Sequence, residues 1–161
     1  MSRQNTGMTD LFGRLTGHAT NPKVAQLMRL PLFQNVPRSE LALIAANLDE
    51  VQVPGGQTLI REGHHNDAFW IVLEGEAEMT IGGQVHRLIG PGGFFGATSM
   101  LDGRPAVATV KTLSHLRALV ASGDQFRALK GDETIALRLM RAALERMRED
   151  LEIQKERYAQ T

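Results

Sequence analysis

The residues of this chain with the means to do chemistry are few: glycine-bounded hydroxyls, an arginine directly ahead of a proline and a pair of adjacent histidines. The stretch "FFGATSMLDGRPAVATV", residues 94–110, sets a glycine at the mouth of a short helical run, where backbone amides suit a phosphate. The side chains in the places where polar anchors would stand are Ala97 and Ala106. Thr98, Ser99 and Thr109 can bond to a ligand, although hydroxyls in such turns more often satisfy local backbone. Arg104 precedes Pro105 in the same loop and is read as solvated, with a swing toward a ligand as the alternative. His64 and His65 are neighbours, so in an extended segment they point to opposite faces and do not converge on a metal. His18, His86 and His115 are scattered, with no serine or carboxylate spaced to form a triad. No phosphate-loop lysine or dinucleotide fingerprint is present. With no cysteine, disulfides, thiol catalysis and cysteine-ligated metals are excluded. No enzyme, no metal and no resident cofactor are expected.

The elements that must position these residues read in four blocks. Residues 1–20 are polar and glycine-dotted, a flexible N-terminal segment with one short amphipathic turn at "TDLFGRL" and the character of a docking peptide. Residues 21–50 hold two short helices: Asn21 caps the first with Pro22 in its first turn, and Pro37 starts the second, where Leu41, Ile44, Ala45 and Leu48 recur at helical spacing. From 51 to 121 the period falls to two and glycines punctuate. "AFWIVL" reads as a buried strand, and "EAEMTI" turns Ala77, Met79 and Ile81 inward. The fold class is mainly β with flanking helices: a jelly-roll-like β-roll of about eight strands. Residues 122–161 are helical, Ser122 or Asp124 capping a short helix that Gly131 ends. Asp132 and Glu133 then open a long one.

Leu137, Met140, Leu144, Met147, Leu151, Gln154 and Tyr158 follow alternating steps of three and four along that last helix, the spacing of a coiled-coil seam. A homodimer through this seam is expected, with the first two turns of the stripe docked on the chain's own β-domain. Asp150 and Lys155 fall where they would pair between parallel helices. Arg138, Arg141, Arg146, Arg148, Lys155 and Arg157 interleave with acids and read as a solvated, salt-bridged surface.

Eighteen basic residues balance eighteen acidic ones in 161 residues, so no field favours nucleic acid or an anionic membrane. One domain is expected. No apolar run approaches the roughly 18 residues of a membrane span, and the N-terminus lacks a signal peptide's apolar stretch. A cytoplasmic location is expected.

"LIREGHHNDAFWIVLEGEAEM", then "IGPGGFFGATSMLDGRPAVATV", then a closing strand and two helices resemble the cyclic nucleotide-binding domain of catabolite-activator-type regulators, kinase A regulatory subunits and gated channels. The resemblance covers about residues 30–155 and implies a β-roll whose phosphate-binding cassette, here 90–110, lies under a C-terminal helix. It places Phe95, Gly96, Ala97, Thr98, Ser99, Arg104, Ala106 and Val107 in that cassette. The family's glutamate for the ribose hydroxyl falls at Ala97 and its arginine for the cyclic phosphate at Ala106, so both charged anchors are missing. The implied function is that of a regulatory or interaction module, with a protein partner and without the usual grip on cyclic AMP or cyclic GMP. The alternative is a sensor of a cyclic nucleotide or another small ligand through non-standard contacts. Transcription factors of the family append a helix-turn-helix domain, for which a chain ending at Thr161 leaves no residues, so no nucleic-acid partner is expected. The segment "GHHNDAFWIVLEGEAEMTIGG" is also similar to the first motif of the cupins, which would imply a metalloenzyme. Its glutamate would fall near Ala68 and its later histidine near Gly96, leaving no third ligand.

Overall fold

Asn21 opens the first helix as its residue type allows: Oδ1 accepts the backbone N–H of Lys23 at 3.1 Å, and Pro22 occupies the first turn. The computed structural model describes residues 21–160, and the chain divides there into two units, the first ending at Ala45 and the second beginning at Ala46. The expectations for residues 1–20, His18 among them, lie outside the described residues. The first unit holds α1 (Pro22–Met28), one 3-10 turn (Pro31–Phe33) and α2 (Arg38–Ala46), which ends at the boundary. Leu27, Leu41 and Ile44 are its fully buried large side chains.

The second unit contains eight strands: β1 (Asp49–Val53), β2 (Thr58–Ile60), β3 (Ala68–Glu74), β4 (Ala77–Ile81), β5 (Gln84–Ile89), β6 (Phe94–Phe95), β7 (Thr109–Thr112) and β8 (Leu116–Ser122). They form two four-stranded sheets in the orders β1-β8-β3-β6 and β2-β7-β4-β5, every pair antiparallel. This is the expected β-roll. Its core gathers Val72, Ala77, Ile89, Phe95, Val110, Leu116 and Ala118 from both sheets. The turn from β3 to β4 demands Gly75: φ is +90°, and a Cβ there would lie 2.1 Å from the carbonyl oxygen of His115. Arg117, on β8, reaches sideways to both neighbouring strands, bonding Glu50 of β1 and Glu74 of β3 at 2.9 Å each.

Three helices complete this unit: α3 (Ala97–Asp102), α4 (Gly123–Lys130) and α5 (Glu133–Ala159). Ser122 caps α4 in a reciprocal box with Gln125, and Asp132 caps α5 by accepting the Ile135 N–H at 3.0 Å. With 27 residues α5 is about 40 Å long. Its buried face is Ile135, Leu139 and Ala143, whereas Leu137 and Met140 are each 50 % exposed. The docked stripe is therefore not the heptad stripe, contrary to the expectation for the first two turns. At about 100° per residue the two stripes are centred roughly 120° apart around the helix, so they occupy neighbouring faces.

Candidate functional site

Between β6 and α3 the chain reverses on Gly96, with φ at +91° and a hypothetical Cβ only 2.4 Å from the Ala68 carbonyl oxygen. Only glycine fits so tight an approach in that conformation. Asn66, 7 % exposed, fastens the turn. Its Nδ2 lies within donating reach of Ala68 O at 2.9 Å, Gly96 O at 3.2 Å and Ser99 Oγ at 2.9 Å, while its Oδ1 accepts the Ala68 N–H at 3.2 Å. Ser99 Oγ in turn donates to Gly96 O at 3.4 Å, so this hydroxyl serves its own loop. α3 ends at Gly103, and the N–H of Arg104 donates to Asp102 Oδ1 at 2.8 Å. Beyond Pro105 the chain is sewn to the β2–β3 loop by Ala106 N–H to His64 O at 2.9 Å and Gly63 N–H to Ala106 O at 2.8 Å.

These elements line a half-open cavity of about 140 Å³. Ile60, Met79 and Ile81 from the strands form its floor, Phe94, Phe95, Gly96, Ala97, Thr98 and Ser99 one side, and Ala106, Val107, Ala108 and Val110 the other. α5 closes it with Ala143, Arg146, Met147 and Asp150. Ala97 and Ala106 are buried methyls, whereas Arg104 is exposed and does not line the cavity. Trp70 stacks on Phe95 behind the wall, ring centroids 5.9 Å apart at an interplanar angle of 14°.

Arg146 departs from the solvated surface expected of it. Three residues after Ala143 on the docked side of α5, it reaches into the cavity, donates from Nη1 to Phe94 O at 2.8 Å and lies 4.4 Å from the Phe94 ring centroid. Burial lowers its pKa, the charge of Arg87 adds to that, and Asp150 and Glu149 oppose it. Asp150 is not free for Lys155 of a second helix as the heptad register implied. Arg87 on β5 holds it at 2.6 Å and takes Glu149 at 3.3 Å, and the buried His86 places Nε2 3.4 Å from the same Asp150 Oδ1. Arg157 also donates to Val85 O, so β5 grips α5 over two turns. His64 and His65 are exposed, and among the described residues no three metal-ligating side chains converge.

Residues 50–132, just over half of the chain, match the family model described as Cyclic nucleotide-binding domain. The chain belongs to that family. A cAMP-dependent protein kinase regulatory subunit of Emericella nidulans is 32 % identical over 109 residues, covering 66 % of this chain and 26 % of that one. A CRP-like cAMP-activated global transcriptional regulator of Mycobacterium tuberculosis is 28 % identical over 128 residues, covering 76 % and 57 %. The regulatory domain of Toxoplasma gondii PKA, solved with cAMP, superposes with a TM-score of 0.59 at 28 % identity over 66 % of this chain and 42 % of that one. The chain thus spans about a quarter of the fungal kinase regulatory subunit's length.

Within this cyclic nucleotide-binding domain, the segment 90–110 is β6, α3 and the extended run into β7. It brings Phe95, Gly96, Ala97, Thr98, Ser99, Ala106 and Val107 to one cavity and leaves Arg104 outside. Leu137, Met140, Leu144, Leu151 and Tyr158 sit away from it, exposed along α5, and Met147 touches both the cavity and solvent. Asn66 and Arg146 escape a reading by residue type: an asparagine in a loop and an arginine among alternating charges carry no signal of what they touch. The one clue to Arg146 is its three-residue step from Ala143.

Proposed function

We infer that the chain is a regulatory or protein-interaction module, not an enzyme, in which the cassette does not grip a cyclic nucleotide in the family's usual way. The observation that carries this is the pair of cavity-lining positions Ala97 and Ala106, 4 % and 7 % exposed, where neither a carboxylate nor a guanidinium is available for a ribose hydroxyl and a cyclic phosphate. Losing a charge-assisted partner costs about 2–5 kcal/mol of binding, a weakening of about 30-fold or more. The exposed apolar stripe of α5 supports a homodimer, the regulatory-subunit relatives support a protein partner, and a cytoplasmic location is part of the same reading.

Calorimetric titration with cyclic AMP and cyclic GMP tests the cassette. No saturable heat is expected at micromolar ligand, and the double variant Ala97→Glu with Ala106→Arg is expected to gain binding. Micromolar binding by the wild-type chain would overturn the reading.

A further inference from the structure

Arg146 brings a cation into the cavity without an acid against it. Among the described residues no carboxylate lies within ion-pair distance of its guanidinium, since Glu149 and Asp150 are held by Arg87. One N–H goes to Phe94 O. A guanidinium carries five donors in a planar fork, so most of its capacity is unspent, and burial raises the free energy of the charged form until an anion arrives.

The walls define what else the ligand must be. Met79, Ile81, Phe95, Ala97 and Ala106 present carbon to the cavity, and the one lining carboxylate, Asp150, is paired with Arg87 at 2.6 Å. Its volume of about 140 Å³ is close to the roughly 150 Å³ of an apolar cavity that takes up benzene. A planar carboxylate matches the fork of an arginine in two parallel hydrogen bonds, and a single ring or short alkyl tail fills the rest.

The geometry points to a small monocarboxylic acid with an aromatic or short aliphatic tail, of the size of benzoate or phenylacetate, its carboxylate on Arg146 and its tail against Phe95 and the two alanines. This rests on the reading that the cassette does not grip a cyclic nucleotide in the usual way. Because the anchor is part of α5, the acid bridges that helix to the cassette.

Trp70 is the chain's one tryptophan and stacks on the cavity-wall residue Phe95, so its emission reports occupancy. The full chain is titrated with phenylacetate, with the smaller neutral analogue benzyl alcohol and with cyclic AMP. Phenylacetate is expected to saturate, with the alcohol weaker by about tenfold or more, and Arg146→Gln is expected to bring the acid down to the alcohol's affinity. Ala97→Leu, which fills the cavity, is expected to abolish both. Equal binding of acid and alcohol, a preference that survives Arg146→Gln, or no saturation by millimolar phenylacetate would each overturn the inference. Should Arg146→Gln unfold in the assay, Arg146→Lys replaces it: the lost fork is expected to weaken the acid severalfold with the alcohol unchanged, and an unchanged acid affinity is the refuting result. Micromolar saturation by cyclic AMP removes the underlying reading as well, whereas silence from both cyclic AMP and the acid removes this inference alone.

Discussion

Asn66 is a loop residue by sequence and a fastener by structure. One amide group meets Ala68 at both its N–H and its carbonyl, and reaches the Gly96 carbonyl and the Ser99 hydroxyl across the cassette turn. Removing it leaves buried polar partners unmatched, so Asn66→Ala is expected to cost about 2–3 kcal/mol. A denaturant midpoint unchanged from wild type would show that water replaces the amide without loss. Single residues are unevenly legible in the chain. Gly96 stands out because a glycine opening a short helix has a conformational purpose, and Ala97 and Ala106 stand out because the family resemblance makes them departures. Asn66 and Arg146 are hidden, because their roles arise from contacts with residues 30 and 52 positions away.

Elements are read more surely than the contacts between them. The caps at Asn21, Ser122 and Asp132 are local in sequence and occur as their residue types dictate. The face that α5 buries is not local: two apolar stripes share that helix, and which one meets the β-roll depends on the shape of the roll. The sheets carry a similar non-local feature in Arg117, whose guanidinium crosses from β8 to acids on both flanking strands. Its hydrogen bond and then its charge hold the Glu74 carboxyl below the usual carboxylate range. A carboxyl with a lower pKa folded than unfolded favours the fold while ionised. The contribution is complete above the ordinary glutamate range and fades as pH falls through the folded value. The stability gap between wild type and Arg117→Met is therefore expected to narrow on acidification from neutral pH. Denaturant melts across that interval check this, and a gap that stays constant or widens would refute it.

At the scale of the whole molecule, the long helix is the part that outruns the β-roll. Leu144 and Leu151 are 62 % and 59 % exposed on a stripe that the chain does not cover with its own described residues. A second copy would bury them at coiled-coil spacing. Leu144→Glu with Leu151→Glu is expected to halve the mass seen by light scattering while the β-roll stays folded, and an unchanged mass would reject pairing through this seam. The same helix lines the cavity on its adjoining face with Ala143, Arg146 and Asp150, and Met147 stands between the two. One helix thus has a cavity-lining face and an exposed apolar face. Thermodynamic linkage makes that arrangement two-way: by whatever factor an occupant of the cavity changes the affinity between copies, pairing changes the affinity for the occupant. Where pairing and occupancy are coupled, protein concentration is a variable of ligand binding, and titrations at two dilutions return different constants.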